Sequence, residues 1–220
     1  MRAMVDGADD AIRWQPTQRD PMRVMLRVGG KVMATLPRAS AEDVGAVAGA
    51  IWTGDLAERV AAAVDADKAT RYALRALERR ALSSGELRDR MHRRGHGEAA
   101  VEQTLSYLLE RRYIDDQAYA ESVIRSLRSR KPAGPRLLRH KLYQKRLPAA
   151  VIDRALAEAA DADGDVEQAR AYAASRLKLP SVQRLDARAR QRRLWSALAR
   201  RGFDTQVIRA ALTHLLDEDS

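Results

Sequence analysis

The sequence contains no cysteine, which excludes disulfide bonds, thiolate metal sites and a cysteine nucleophile. It has a single phenylalanine, and only four histidines are scattered along its 220 residues. No apolar run approaches the roughly 18 to 20 residues that a membrane-spanning helix needs, and the start of the chain lacks the pattern of a secretory signal. These absences predict a cytoplasmic protein that does not contact membranes.

Catalytic and nucleotide-binding motifs are also lacking. No Gly-x-Ser-x-Gly turn is present to expose a nucleophile. The Gly-Gly-Lys at residues 29 to 31 departs from a phosphate-binding loop, because Met25 stands where that motif needs glycine and Val32 where it needs serine or threonine. We therefore predict that the protein is not an enzyme and has no cofactor.

Two short polar clusters have simpler explanations than a metal site. His92 and His96 are four residues apart, but Gly95 is expected to end the helix between them and no third ligand is evident. Asp115 and Asp116 fall where a helix should begin, and acidic residues there complement the positive end of the helix dipole. We predict no metal site and assign the two aspartates to helix capping.

Alanine, arginine and leucine dominate the composition, and β-branched residues are few, which favours an all-α protein. The formal net charge is +10, and it is unevenly distributed. It is zero over residues 1 to 64, then +3, +5 and +2 over residues 65 to 114, 115 to 160 and 161 to 220. The excess of positive charge therefore lies beyond residue 64 and is greatest in the middle of the helical part.

The N-terminal part has a pattern of its own. Residues 1 to 20 show no periodicity and are predicted to be a flexible tail. Apolar residues alternate over residues 24 to 36, which predicts a β-hairpin with Val28 opposite Val32 and a three-residue loop at residues 29 to 31. Ser40 is expected to cap a short helix that ends near Ile51, and a second helix should start about Asp55. Residues 21 to 64 thus form a small extension.

Beyond residue 64 the apolar residues repeat with one spacing. Three sets of four are separated by 4, 10 and 4 residues: Leu87, Met91, Val101 and Leu105; Leu138, Leu142, Ile152 and Leu156; Leu194, Leu198, Ile208 and Leu212. Each gap of ten contains a glycine or proline break, so each set predicts two helices joined by a short turn. A further amphipathic helix precedes each pair, at about residues 68 to 81, 116 to 129 and 164 to 177. We predict tandem three-helix repeats over residues 65 to 114, 115 to 160 and 161 to 220, stacked in an elongated array.

The densest positive charge lies in the second repeat, where residues 125 to 146 contain no acidic residue. On a helix that begins near Pro135, a basic stripe with an aromatic side chain faces away from Leu138 and Leu142. Such a stripe can meet phosphates and bases or an acidic protein groove, although long arginine-rich faces are also found as solvated surface. The candidate binding residues are Arg125, Arg128, Arg130, Lys131, Arg136, Arg139, His140, Lys141, Tyr143, Lys145 and Arg146, with Arg188, Arg192 and Arg193 of the third repeat as a weaker group.

Several stretches resemble the RecX family. Residues 79 to 87 (RRALSSGEL) are similar to its Arg, Ser, Glu-Leu signature, and residues 113 to 120 (YIDDQAYA) to its link between the first two repeats. Residues 134 to 138 are similar to its Gly-x-x-Arg-Leu pattern, with the order Gly-Pro-Arg-Leu-Leu here, and residues 200 to 203 (RRGF) resemble its C-terminal repeat. The resemblance covers about residues 65 to 217. One departure is the longer approach to the third repeat at residues 177 to 185, which contains Pro180.

The resemblance implies tandem helical repeats that lodge in the groove of the RecA filament on single-stranded DNA, inhibit its ATPase and strand exchange, and act in DNA repair and the SOS response. We expect RecA, as protomer and filament, to be the partner of a monomeric regulator, and single- or double-stranded DNA to be a further contact. Two other interpretations stay open. One is a sequence-nonspecific DNA-binding helical protein, and the other is a helical scaffold for an unrelated partner.

Overall fold

The computed structural model describes residues 10–160 and 162–217, and it confirms an all-α protein of three-helix repeats preceded by a small β-sheet. These residues form two compact units. The first contains residues 10–81 and Leu87–Ile114, and the second contains Leu82–Glu86 and the described residues from Asp115 onward. The break at residues 82 to 86 falls at the start of a helix, so that helix contributes to both units.

The first unit begins with a three-stranded antiparallel sheet of β1 (Arg13–Pro16), β2 (Arg23–Val28) and β3 (Lys31–Pro37), in that order. Residues 1–9 lie outside the described residues. For residues 10 to 20 our prediction of a flexible tail is wrong, because β1 pairs with β2 and Ile12 is buried. The indole of Trp14 also donates a hydrogen bond of 2.8 Å to the Ala46 carbonyl. These partners are distant in sequence, so the short segment had no local signal of its own.

The hairpin between β2 and β3 is present, but its turn is shorter than predicted. Val28 pairs with Lys31, so the loop is the two glycines alone, with φ of 51° at Gly29 and 77° at Gly30. Two-residue hairpin loops favour this left-handed backbone, which glycine adopts without strain. A bulge near Leu26 then restores the alternation. The apolar side chains of β2 and β3 therefore reach the same face of the sheet through the bulge, and not through the three-residue loop that we predicted.

Two helices follow, α1 (Arg38–Asp43) and α2 (Gly54–Arg79). The prediction that a helix runs from a Ser40 cap to Ile51 is wrong, since α1 is only six residues long and Ile51 is exposed. The Thr53 side chain accepts a hydrogen bond from the Leu56 N–H and so caps α2, which begins one residue before the predicted start at Asp55. α2 is one continuous helix of 26 residues, whereas we predicted two helices with a break near residue 65. No glycine or proline lies in its interior to end it.

α2 joins the sheet to the first repeat. Its Leu56 and Val60 pack with Val24, Leu26 and Leu36 in one buried cluster. Its C-terminal half packs against α4 (Glu98–Glu110), which follows α3 (Ser84–Arg93) after the predicted break at residues 95 to 97. The apolar residues with the 4, 10, 4 spacing in these two helices are fully or nearly fully buried: Leu87, Met91, Val101 and Leu105.

The second unit contains the other two repeats. The second repeat consists of α5 (Asp116–Arg130), α6 (Pro135–Gln144) and α7 (Ala149–Glu158). The third consists of α8 (Ala162–Leu177), the short α9 (Pro180–Gln183), α10 (Ala187–Arg200) and α11 (Thr205–Asp217). Each has its own buried apolar cluster, and Phe203, the only phenylalanine of the chain, lies in the third. The predicted pairs of helices are therefore confirmed, and the longer approach contains a helix that starts at Pro180.

Within the second unit, two close approaches share one geometry. A Cβ atom built on Gly85, at the start of α3, would overlap the Arg146 carbonyl oxygen in the turn after α6. A Cβ atom on Gly134, just before α6, would lie 2.5 Å from the Gly202 carbonyl in the turn after α10. Side chains do not fit at either position. Glycine thus lets the start of the second helix of one repeat approach the corresponding turn of the next.

Candidate partner-binding surface

The outer face of α6 carries the basic stripe that the sequence predicted. Pro135 occupies the first turn, where its missing N–H costs nothing, and Leu138 and Leu142 are fully buried against α5 and α7. The opposite positions are exposed, and Tyr143 keeps 48% of its surface. We call this exposed set the α6 face; it comprises Arg136, Arg139, His140 and Tyr143.

The charges of the α6 face are only partly engaged within the chain. Arg139 donates to the Asp153 carboxylate at 2.5 Å, and this hydrogen bond raises the pKa of Arg139 above its usual value, so it stays a cation. His140 lies 2.9 Å from Gln144. Within the part of the chain that the structure describes, Arg136 has no ion pair and is exposed. Its five guanidinium donors are therefore available to a phosphate or carboxylate.

Further cations continue the basic surface at both ends of α6. Arg130 and Lys131 are exposed just before the helix, and neither forms an ion pair among the described residues. After the helix, Lys145 lies 3.9 Å from Glu86, while Arg146 is exposed with a left-handed backbone, at a φ of 55°. Lys141 contacts Gln144 at 3.0 Å, and Arg125 makes a loose exposed pair with Glu121.

Arg128 does not belong to this surface, and its place among the candidate residues needs correction. Its guanidinium donates to the Asp165 carboxylate at 2.9 Å and to the Ala159 carbonyl at 3.0 Å. The two charged side chains are 22% and 7% exposed. Arg128 therefore links α5 to α8 and is turned away from solvent by that ion pair.

The weaker group on α10 is exposed but less concentrated. Arg188, Arg192 and Arg193 all face solvent, on the side away from the buried Leu194 and Leu198. Among the described residues none of the three is in an ion pair. The 56-residue offset between the leucine pairs places Arg192 at the position of Arg136, but Ala199 at that of Tyr143. The third repeat thus has no aromatic side chain at the position of Tyr143, and its Trp195, at the position of Arg139, packs against the buried cluster.

The two aspartates at the start of α5 do cap helices, but not the same one. Asp115 accepts a hydrogen bond from the Ala118 N–H and caps α5. Asp116 is buried and accepts from the Ser84 N–H at 2.8 Å and from the Ser84 hydroxyl at 2.5 Å, at the start of α3. The sequence predicted that both aspartates cap a helix. It did not predict that Asp116 caps α3, because Asp116 and Ser84 are 32 positions apart.

The same start of α3 holds a capping box that supports the surface. The Glu86 N–H donates to the Ser83 hydroxyl oxygen at 3.0 Å, and the Ser83 N–H donates to the Glu86 carboxylate at 3.3 Å. The Ser83 hydroxyl donates to the Lys145 carbonyl, and the Tyr119 hydroxyl donates to Glu86 at 3.2 Å. The Ser-x-x-Glu spacing was the sequence signal for this cap. It fixes the turn that carries Lys145 and Arg146.

The other polar candidates have structural partners. His96 Nδ1 lies 2.6 Å from Asp65, whose other oxygen accepts from the Gly97 N–H at 2.9 Å. His92 contacts Glu98 at 3.2 Å. Among the described residues, no group of three or more possible metal ligands is present. In the same part of the chain, no helix is both long and apolar enough to cross a membrane.

Comparison with known proteins matches this architecture repeat by repeat. Models of the first, second and third three-helix domains of RecX match residues 69–108, 115–156 and 165–212. The Regulatory protein RecX of Chlorobium limicola is 34% identical over 149 residues, which are 68% of this chain and 90% of the relative. The chain belongs to the RecX family. The resemblance noted in the sequence is thereby confirmed.

Other RecX proteins agree with this assignment. The Chlorobium phaeobacteroides RecX is 34% identical over 69% of this chain and 95% of its own length. A crystal structure of regulatory protein RecX superposes with a TM-score of 0.75, covering 90% of this chain and 96% of that chain at 22% identity. RecX from Lactobacillus salivarius gives a TM-score of 0.63 over 69% of this chain and 96% of its own, at 21% identity. The likeness to these structures supports the fold.

Proposed function

We propose that this RecX protein binds RecA, both as protomer and as filament on single-stranded DNA, and inhibits its ATPase, recombinase and strand-exchange activities. In this role it acts in the cytoplasm as a monomer, in DNA recombination, DNA repair and the SOS response, and performs no catalysis itself. The proposal is supported by family membership and by the α6 face, where cations and a tyrosine are exposed above two fully buried leucines.

The mechanism follows from the chemistry of that face. Arginine forks pair with carboxylates or phosphates in two-point contacts, and Tyr143 adds an apolar ring that packs or stacks. The α6 face, together with Arg130 and Lys131, is directed toward the acidic groove of the filament or the DNA within it. Contact across neighbouring RecA subunits then restricts the movements and the DNA access that strand exchange requires.

The primary experiment is a titration of the single-stranded-DNA-dependent ATPase of the host's RecA with this protein. We expect inhibition at less than one copy per RecA, at ratios too low to coat the DNA. Binding to bare DNA is measured in parallel. Inhibition only when bare DNA is saturated would favour a DNA-binding protein instead, with affinity falling by about 0.7 to 0.9 log units per log unit of salt for each phosphate contacted. No inhibition at any ratio would contradict the RecA proposal, and no binding to bare DNA in addition would favour a scaffold.

A charge-reversal variant tests the surface itself. Arg130, Lys131 and Arg136 are the best choice, since they are exposed and have no ion pair among the described residues. Lys145 and Arg139 are less suitable, because their reversal would place a carboxylate beside Glu86 or Asp153. We expect the triple Glu variant to lose inhibition while its helical content and unfolding midpoint stay close to those of the wild type.

A matched control reverses three exposed cations of the N-terminal sheet and its β1–β2 connection: Arg13, Arg19 and Lys31. It makes the same change in net charge at a distant place in the chain. We expect it to inhibit RecA as the wild type does. Equal loss of inhibition in both variants would assign the effect to total charge and would contradict a role for the basic surface of the second repeat.

A further inference from the structure

The end of α4 carries an aromatic and cationic cluster that the proposed function does not use. Tyr107 and Tyr113 are 39% and 54% exposed, and their rings are stacked with centroids 6.2 Å apart and planes inclined by 28°. The Arg111 guanidinium lies over the Tyr107 ring, 5.6 Å from its centre. We call Tyr107, Arg111, Arg112 and Tyr113 the stacking surface. It lies in the first unit, whereas the α6 face lies in the second.

The hydroxyl groups of the two tyrosines have no partner within the part of the chain that the structure describes. Tyr113 is the more exposed ring, and Tyr107 lines an open cavity with Val44 and Ala63. The neighbouring positions that hold the helix in place are different residues, Leu108 and Ile114, which are 0% and 4% exposed. Tyr113 and the exposed part of Tyr107 are therefore accessible to a partner.

The turn that ends α4 also contains an arginine, Arg112, in a strained backbone conformation. The Tyr113 N–H donates to the Leu108 carbonyl at 2.8 Å, which ends α4 with Arg112 in the left-handed region at a φ of 56°. Gly95 and Gly202 adopt this conformation without strain in the turns after α3 and α10, whereas the turn after α6 has an arginine, Arg146, with a φ of 55°. Arg112 is exposed and directly precedes Tyr113, so this turn places a second cation next to Arg111 in the sequence.

Two exposed aromatic rings beside two arginines are suited to binding unpaired bases. Aromatic rings stack on the face of any base, and adjacent arginines meet the phosphates without reading sequence. In a duplex the base faces are covered by neighbouring base pairs, so an exposed tyrosine pair gains little from it. We propose that the stacking surface binds single-stranded nucleic acid, with a base stacked on Tyr107 or Tyr113 and with Arg111 and Arg112 at the flanking phosphates.

The test measures binding of the full chain to a labelled thymidine oligonucleotide and to an abasic strand of the same length. The abasic strand keeps the phosphates and removes the bases. For the variant Y107A/Y113A we expect the affinity for the thymidine strand to fall by about 5-fold to 150-fold for each stacked base. The slope of affinity against salt should stay unchanged, because the arginines still bind the phosphates. The wild type and the variant should bind the abasic strand with the same low affinity.

Three further variants separate stacking from other effects. Y107F/Y113F keeps both rings and should bind as the wild type does. L109A removes an exposed apolar side chain of the same helix that is not aromatic, and it should leave the affinity unchanged. R111Q/R112Q should reduce the salt slope by about 0.7 for each phosphate that the variant no longer neutralises. Circular dichroism of each variant verifies that the helices are intact.

The proposal is overturned if Y107A/Y113A binds the thymidine strand as tightly as the wild type, or if it loses affinity for the thymidine and abasic strands equally. Loss of RecA inhibition in this variant with unchanged DNA affinity would identify the cluster as a protein contact and would also overturn it. Failure of the wild type to inhibit RecA would contradict the proposed function and leave this proposal standing, since the oligonucleotide test contains no RecA.

Discussion

Arg128 and Arg136 lie eight positions apart in the most basic stretch of the chain, yet only Arg136 is available to a partner. Arg128 is held by Asp165 and by the Ala159 carbonyl, whereas Arg136 projects from α6 into solvent. Asp165 is 37 residues from Arg128, so the sequence offered no sign of that pairing. Helical periodicity indicated which side of α6 is exposed, because that depends on local spacing alone. It did not indicate which cations are engaged by distant carboxylates.

Asp65 supplies a prediction about pH. Its burial alone would raise its pKa, but hydrogen bonds from His96 and from the Gly97 N–H, together with the charges of His96 and Lys68, lower the pKa below its usual value. A carboxyl whose pKa is lower in the folded state stabilises the fold above its unfolded pKa of about 4, and this contribution is lost as pH falls through the folded value. Asp65→Asn should therefore lower the free energy of unfolding at neutral pH by about 1 kcal/mol, since Asp65 is partly exposed.

Urea unfolding of the wild type and of Asp65→Asn, from about pH 7 down to about pH 3, measures this effect. The difference between the two proteins should shrink as Asp65 becomes protonated. Glu58→Gln is the control, because Glu58 is exposed on the same helix and has no partner among the described residues. A difference that stays constant to the acid end would show that the charge of Asp65 contributes nothing.

At the scale of helices and strands, local rules predicted the repeats well and the N-terminal extension poorly. The turns after α3, α6 and α10 were marked by glycine or proline and by apolar spacing, and all three lie where expected. The sheet depends on pairing across the chain: β1 has few apolar residues, and the bulge beside Leu26 changes the register that alternation suggested. We predicted two helices where α2 is continuous. The apolar side chains in its first half pack against the sheet and those in its second half pack against α4, although the helix itself is not interrupted.

The turn that ends α4 provides a prediction at this scale. Arg112 has a φ of 56°, and a non-glycine residue in this region costs about 1 to 3 kcal/mol. Glycine removes that strain but adds about 0.5 to 1 kcal/mol of backbone entropy to the unfolded chain. Arg112→Gly should therefore raise the free energy of unfolding by about 1 kcal/mol. Thermal and urea unfolding measure the change.

Arg111→Gly is the matched control, since it is the adjacent arginine with a φ of −84°. Glycine relieves no strain at this position, and it also removes the contact of Arg111 with the Tyr107 ring, so the stability should fall by about 1 to 2 kcal/mol. Opposite signs for the two variants are the expected result. If Arg112→Gly destabilised the protein as much as Arg111→Gly does, the side chain of Arg112 would contribute more than its backbone strain costs.

For the molecule as a whole, charge and family membership divide the chain at nearly the same place. Residues 1 to 64 have no net charge, and the family models begin at residue 69. The Chlorobium limicola relative is matched over 90% of its length by only 68% of this chain, so this chain is the longer one. The N-terminal sheet therefore adds buried apolar surface to α2 without adding to the net positive charge of the chain.

Deletion of residues 1–53 tests this division of roles. The remaining chain begins at Gly54, the first residue of α2, and loses the sheet that covers Leu56 and Val60, which are 4% and 2% exposed in the full chain. Leu56→Gln and Val60→Gln are included so that these positions do not promote aggregation. We expect circular dichroism to show intact helices, a lower unfolding midpoint, and RecA inhibition equal to that of the full chain, because the α6 face lies in the other unit. If the truncated protein kept its helices but no longer inhibited RecA, the N-terminal sheet would itself be a partner contact, and the positive charge of the repeats would not be sufficient for regulation.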